Sequence, residues 1–215
     1  IACGNHHTVA IKEDGRLWAW GGTLHGKLGH LEAHGGLCQV SGLYDQKVVD
    51  VDCGKTHTIL CTDDGVLYSW GLNDYGQLGY GTTQSSRTPK LVKMEEKTIS
   101  ISCGDKHSLV VDCSGKLFSF GCGIHGQLGH GVSRNERRPR RVDAFQGRVL
   151  QAEAGSNHSV VLTCDGEVYT WGLGNRGQLG HGTLSDSSKP TLVTGLPKGI
   201  IKQVAAGGSH TLASE

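Results

Sequence analysis

A segment of roughly fifty residues recurs along the chain, and this period constrains the fold more than any other feature of the sequence. The motif Gly-x-x-His-Thr/Ser occurs five times, at His7, His57, His107, His158 and His210, in steps of 50, 50, 51 and 52 residues. An aromatic–Gly pair and a Gly-Gln/Lys-Leu-Gly element follow the first four copies in the same order. The aromatic residues of the pairs are Trp20, Trp70, Phe120 and Trp171. We therefore divide the chain into units of approximately 1–47, 48–98, 99–148 and 149–199, with a truncated unit at 200–215.

Each unit predicts four β-strands. In the second unit, apolar runs at Val48–Cys53 and Thr58–Cys61 flank the motif glycine, and Asp64-Gly65 predicts a tight hairpin before the alternating segment Leu67–Trp70. A weaker fourth strand is expected at Lys90–Val92, with counterparts at Leu37–Val40, Arg140–Val142 and Pro190–Val193. A four-stranded antiparallel unit cannot bury both of its faces alone, whereas radial stacking of such units buries them. The sequence therefore predicts an all-β fold, a β-propeller with about four full blades and the start of another.

The bulk composition excludes several classes of protein. The formal net charge is +1, so no strong overall field favours nucleic acid or a membrane surface. The chain contains no apolar run long enough for a transmembrane helix. Cys3, Cys53 and Cys103 occupy one column of the repeat, where later units place Ala154 and Ala206, so this column favours a small apolar group over a disulfide or metal ligand. We predict no cofactor, no metal and a reducing, intracellular location.

The combined motifs resemble the repeat of the regulator of chromosome condensation family over essentially the whole chain. These motifs are Cys/Ala-Gly-x-x-His-Thr/Ser, Asp-Gly, aromatic–Gly and Gly-Gln-Leu-Gly. Members of that family usually close a ring of seven blades, so the resemblance implies that this chain forms part of such a ring, in the cytoplasm or the nucleus. An incomplete ring would expose sheet edges, which favours association into oligomers.

The repeated residues are predicted to be structural. Equivalent positions on different blades form a ring whose members are too far apart to share one metal ion. We expect each motif histidine to hydrogen-bond the backbone near its glycine turn, and the four aromatic residues to fill the core between blades. Gly-Gln-Leu-Gly is not interpreted as a phosphate loop, because no helix is predicted after it.

Function is expected where the copies differ, chiefly in the loops. These loops are predicted at Leu31–Gly36, Thr82–Thr88, Val132–Arg138 and Thr183–Lys189. The segment Ser133–Arg141 breaks the repeat with five arginines, Arg134, Arg137, Arg138, Arg140 and Arg141. This segment is either a solvated charged loop, a docking surface for an acidic partner or a basic localisation signal. A second candidate set precedes the Gly-Gln/Lys-Leu-Gly turns, at His25, Tyr75, His125 and Arg176.

Two functions follow from these patterns. We predict a protein–protein interaction scaffold within a larger signalling, ubiquitin-ligase or trafficking protein, because the resemblance implies such a role and no catalytic constellation is present. The alternative is guanine-nucleotide exchange on a Ran-like small GTPase, the activity of the founding family member. The insertion that acts as a wedge in that member has no counterpart in these units. The tryptophan-rich motif variant of the similar plant ultraviolet-B photoreceptor is also missing, and near-neutral charge gives nucleic-acid binding little support.

Overall fold

The computed structural model describes residues 1–31, 35–43, 46–145, 147–197 and 199–215, and these fold into four four-stranded sheets and one two-stranded sheet. Blade 1 contains β1 (Ala2–Cys3), β2 (His7–Ile11), β3 (Leu17–Gly21) and β4 (Cys38–Gln39). Blade 2 contains β5 (Val48–Cys53), β6 (His57–Thr62), β7 (Leu67–Gly71) and β8 (Ser86–Val92). Blade 3 contains β9 (Thr98–Cys103), β10 (His107–Asp112), β11 (Leu117–Gly121) and β12 (Glu136–Arg141). Blade 4 contains β13 (Val149–Ala154), β14 (His158–Thr163), β15 (Val168–Gly172) and β16 (Ser187–Leu192). The fifth sheet pairs β17 (Gln203–Ala206) with β18 (Thr211–Ser214).

The sheets are arranged as the blades of a propeller. Within each blade the strands pair antiparallel in chain order, and the first strand of each blade contacts the first strand of the next, as β5 does β9 and β9 does β13. The first strands therefore line the axis, and β4, β8, β12 and β16 form the outer edges. In the described ranges a 3-10 turn at Leu24–Gly26 is the single helical element, and no helix there is long and apolar enough to cross a membrane. The predicted β-propeller is confirmed.

The second strand of each complete blade after the first is buried along its whole length. All residues of β6, β10 and β14 are buried, because neighbouring blades cover both faces of these strands. The hairpin after β6 turns at Gly65, whose φ of +85° suits glycine. The histidine-motif turns and the Gly-Gln/Lys-Leu-Gly turns lie on one face of the propeller, since the amide of Leu72 donates to the carbonyl of Thr56. The Asp-Gly and Ser-Gly hairpins lie on the opposite face.

The outer strands differ from the sequence prediction. β8, β12 and β16 begin four, four and three residues earlier than expected, so the last three residues of the loop predicted at Val132–Arg138 belong to β12. An outer strand has one unpaired edge and faces solvent, so it lacks the apolar alternation on which the prediction relied. The predicted loop at Leu31–Gly36 includes residues 32–34, which lie outside the described residues. The last sheet begins with β17 at Gln203, within the truncated unit predicted at 200–215.

The core lies between blades. Trp70, Phe120 and Trp171 are completely buried, and the indole of Trp70 packs against Gly29 of the preceding blade while that of Trp171 packs against Gly129. The prediction of an aromatic interblade core is therefore right for these three residues. Trp20 is only partly buried, so for this residue the prediction of an interblade core position is wrong. Trp70 and Trp171 each pack onto the preceding blade, and among the described residues no blade lies on that side of Trp20.

Candidate partner-binding surface

Four of the five motif histidines join their own blade to the next one. The Nε2 of His57 lies 3.0 Å from the Oγ of Ser108, and that hydroxyl donates to the carbonyl of Gln77 at 2.9 Å. The hydroxyl proton is thus engaged, so the hydroxyl oxygen accepts from the Nε2–H of the histidine. The same contact joins His7 to Thr58, His107 to Ser159 and His158 to Thr211. The expected backbone partner is wrong, because the sequence of one unit does not show which groups the next blade brings into reach.

These histidines are neutral structural groups. Burial lowers the pKa of His57 and His107 to about 3 and the pKa of His7 and His158 to about 4. His210 is exposed. Within the described ranges no three His, Cys, Asp or Glu side chains are placed to hold a metal ion. A buried neutral imidazole that already donates its proton is poorly suited to acid–base chemistry.

The four interblade histidines, His7, His57, His107 and His158, form a histidine ladder. Their burial predicts that the protein loses stability in acid. An unfolded histidine has a pKa near 6.5, whereas the folded ones have values of about 3 to 4, so the unfolded chain binds more protons between these limits. The histidine contribution is fully present above about pH 6.5 and falls by about 1.4 kcal/mol per histidine for each pH unit below it. Urea unfolding at about pH 7.5 and pH 5.5 measures this loss.

The matched control is His107→Gln, which keeps a donor but does not titrate. We expect its unfolding free energy to fall less steeply with acid than that of the wild type. Asp52 acts in the opposite direction, because burial raises its carboxyl pKa to about 6, and its effect is common to both proteins. Equal pH dependence in wild type and variant would contradict the role assigned to His107.

The four residues ahead of the Gly-Gln/Lys-Leu-Gly turns do not form one uniform exposed ring. His25 and Arg176 are exposed, whereas Tyr75 and His125 are half-buried. The Lys106 ammonium lies 4.6 Å from the centre of the Tyr75 ring and 3.3 Å from its hydroxyl, so Tyr75 is held between two blades. The Nδ1 of His125 lies 3.7 Å from a carboxylate oxygen of Asp186. The turns themselves are held by glutamine, since the side-chain oxygen of Gln77 accepts the Tyr75 amide at 3.0 Å.

Most of the arginine segment lies on β12, the outer strand of blade 3. The carboxylate of Glu136 bonds Arg134 at 3.0 Å and Arg140 at 2.9 Å, and Arg141 pairs with Asp143 at 2.9 Å. Charged side chains and a proline on an edge strand oppose pairing with another sheet. Proline occurs at the same place in three outer strands, as Pro89, Pro139 and Pro190. Part of the role of this segment is therefore protection of the edge.

Two arginines of this segment form no ion pair with a described residue. Arg137 and Arg138 are exposed, and within the described part of the chain no carboxylate lies within ion-pair distance of either. Their backbone is firmly placed, because the amide of Gly81 in blade 2 donates to the carbonyl of Arg137 at 2.7 Å. The guanidinium of Arg138 lies over Gly81. The strand thus presents two cationic groups from a fixed backbone.

Tertiary structure adds basic residues that the sequence analysis missed. A groove of about 990 Å³ runs between β8 and β12, and Lys90 and Lys93 of blade 2 line it opposite Arg138 and Arg140. The missed residues lie almost fifty positions earlier in the chain, so no local charge run identifies them. The repeat did indicate one of these residues, because Lys90 occupies in blade 2 the position that Arg140 occupies in blade 3.

The electropositive outer strand is particular to blade 3. β12 reads Glu-Arg-Arg-Pro-Arg-Arg, whereas the corresponding β16 reads Ser-Ser-Lys-Pro-Thr-Leu. The two strands make the same backbone contact with the preceding blade, because Gly81 donates to Arg137 and Gly131 donates to Ser188. The difference is therefore one of surface chemistry on a common framework.

Comparison with known proteins gives one family and several similar structures. Residues 1–213 match the model of the RCC1-like domain. A stretch of 74 residues, 34% of the chain, is 46% identical to the human E3 ubiquitin-protein ligase HERC2 and covers 2% of that protein. Another of 64 residues, 30% of the chain, is 52% identical to MYCBP2, an E3 ubiquitin-protein ligase of Danio rerio, and covers 1% of it. The structure of Prp20p from Saccharomyces cerevisiae matches 99% of the chain with a TM-score of 0.88 at 26% identity. The chain spans 54% of Prp20p, so it corresponds to about half of that propeller and to a small part of either ligase.

Proposed function

Because the chain belongs to the RCC1-like domain family, we propose that it is a protein–protein interaction module of a larger signalling, ubiquitin-ligase or trafficking protein. The observation that carries this proposal is the outer strand β12, where Arg137 and Arg138 project from a fixed backbone without carboxylate partners in the described ranges. The repeated histidines and aromatics hold the blades together, so they are unavailable for a partner. Exposed arginines are favoured at protein interfaces, since each guanidinium can bind a carboxylate through two hydrogen bonds.

Edge protection alone does not account for this strand. β16 is also an outer strand, and its proline and one lysine are the features that protect it. Five arginines between positions 134 and 141 exceed that need and occur in one blade of four. A basic localisation signal is less consistent with the strand, because Pro139 and its neighbours are fixed in the sheet and not on a free chain segment.

A graft between blades tests the proposal. In the graft variant, β12 takes the residues of β16 through Glu136→Ser, Arg137→Ser, Arg138→Lys, Arg140→Thr and Arg141→Leu. We expect partner recovery in pull-downs to fall by roughly ten-fold or more, because the graft removes the charges of Arg137, Arg140 and Arg141 and replaces the bidentate guanidinium of Arg138 with an ammonium group. Circular dichroism and thermal unfolding should change little, since β16 already forms the same strand on the same framework.

Lys189→Glu, on β16, is the matched control, because it changes charge on an outer strand outside the proposed surface. We expect this control to retain every partner. If the graft variant recovers the same partners in the same amounts as the wild type, β12 is not the docking surface.

Guanine-nucleotide exchange is the second candidate. It is supported by the similarity to Prp20p, whose structure was described together with its binding properties to Gsp1p and histones. Exchange would require a surface that binds the nucleotide-free GTPase more tightly than the nucleotide-bound form. Release of labelled GDP from a Ran-like GTPase, with and without the protein, tests this activity. The same assay with the graft variant separates exchange from docking through β12.

A further inference from the structure

We propose that the groove between β8 and β12 binds an extended acidic peptide segment that carries one apolar anchor side chain. This inference rests on the interaction function proposed above and specifies the chemistry of the partner. It concerns both walls of the groove, whereas the proposed docking function rests on β12 alone.

The shape of the groove suits an extended chain. It runs along the side of the propeller from the turn at Gly79 and Thr82 on the histidine-motif face to Asp112 and Lys116 near the hairpin on the opposite face. Its walls are two neighbouring outer strands, so its long direction follows theirs. A volume of about 990 Å³ lies at the upper end of the range usual for ligand sites, which leaves room for several side chains.

The charge of the groove favours an anionic partner. Six cationic residues line it: Lys90, Lys93, Lys116, Arg138, Arg140 and Arg141. Four carboxylates also line it, at Glu95, Glu96, Asp112 and Glu136. Two of these carboxylates are already engaged, because Glu136 binds Arg134 and Arg140, and Asp112, only 1% exposed, accepts the amides of Ser114 and Lys116. The lining therefore carries two more cations than carboxylates, with Arg138 unpaired on the wall of blade 3 and Lys90 and Lys93 beside Glu95 and Glu96 on the wall of blade 2.

An apolar strip lies between these charges. Leu91 is 60% exposed, and Met94 and Phe118 are partly buried on the core behind it. An apolar side chain of a bound peptide could remove this strip from water, which supplies the anchor in the proposal.

The groove favours a peptide over a nucleic acid. Glu95 and Glu96 stand beside the lysines of blade 2 and would repel a continuous phosphate backbone. An acidic peptide can place its carboxylates opposite the cations and its neutral residues opposite these glutamates. Blade 4 has Lys189, Thr191 and Leu192 at the positions of Arg138, Arg140 and Arg141. The outer strand of blade 4 therefore offers fewer cations than that of blade 3.

Fluorescence anisotropy with defined probes tests the inference. The probe is a short fluorescein-labelled peptide of alternating Glu and Ser with one central Phe, and its partners are the same peptide with Ser in place of Phe and a single-stranded oligo-dT. We expect the Phe peptide to bind best, with roughly ten-fold weaker binding after loss of the Phe ring. The double variant Lys90→Glu/Lys93→Glu should weaken binding by roughly ten-fold, because it replaces with carboxylates the two cations of the wall that the graft variant leaves intact. Lys189→Glu should bind as the wild type does.

The outcomes separate the two proposals. If the graft variant loses its partners in pull-downs while Lys90→Glu/Lys93→Glu leaves peptide affinity unchanged, docking through β12 stands and the groove inference is wrong. Tighter binding of oligo-dT than of the Phe peptide also overturns the inference. All the substituted lysines are exposed, so these variants are expected to fold, and thermal unfolding verifies this.

Discussion

Gly104→Ala is expected to lower the free energy of unfolding by about 4 kcal/mol or more, or to prevent folding. A Cβ at this position would lie 2.2 Å from Cε1 of His107 and 2.5 Å from the carbonyl oxygen of Gly155 in the next blade. Neither group can move freely, because His107 is held by Ser159 at 3.1 Å and the carbonyl belongs to a tight backbone turn. The substitution would therefore push two blades apart or break the histidine ladder.

Gly195→Ala is the matched control. An added Cβ there meets no atom within 4 Å, so the substitution should change the unfolding free energy by less than about 0.5 kcal/mol. Urea unfolding of both variants measures the difference. A stability of Gly104→Ala equal to that of the control would show that the blades tolerate a wider spacing than the structure has. The same close approach occurs at Gly4, Gly54 and Gly155, so the explanation extends to four of the five motifs.

Trp171→Ala is expected to cost about 3 to 5 kcal/mol of unfolding free energy. Trp171 is completely buried between blades 3 and 4, and its indole Nε1 donates to the carbonyl of Gln127 at 2.8 Å. The substitution leaves a cavity at the blade interface and removes one of the two donors to the Gln127 carbonyl, which keeps only the Ser159 hydroxyl at 2.8 Å. Because each interface stabilises the blade next to it, the variant should also lose the cooperativity of unfolding between blades 3 and 4.

Trp171→Phe tests whether the loss of aromatic packing, and not any substitution at this site, lowers the unfolding free energy. Blade 3 places Phe120 at the equivalent position, fully buried, so a phenyl ring is known to fit this kind of interface. We expect a cost of about 1 to 2 kcal/mol, chiefly from the lost hydrogen bond and the smaller ring. Thermal and urea unfolding compare the two variants. If Phe and Ala at this position destabilise equally, the aromatic packing does not hold the blades together.

The fold could be predicted well where the information is local. The Asp64-Gly65 hairpin, the apolar second strands and the aromatic pairs each depend on a few adjacent residues, and all of these features lie where expected. The outer strands were predicted too short because their polar, proline-containing sequences reflect exposure, as in Ser86–Val92. The arginine segment of the candidate surface was recognised in the sequence because it differs from the other repeat units. Its division into paired and unpaired arginines was not, because the ion pairs of Glu136 depend on the positions of side chains around the strand.

The sequence by itself determined the periodic framework of this protein, since a repeat kept in step over four units leaves radial stacking of blades as the way to bury both faces of each sheet. Tertiary structure decided which polar groups are used between blades and which remain at the surface. The partner of His57 is Ser108, and the wall opposite Arg138 is formed by Lys90 and Lys93, across separations that no local pattern reveals. The physical reason is that hydrogen bonds and charge complementarity act over a few ångströms in space, and the stacking of blades, not the order of residues, sets which groups come that close.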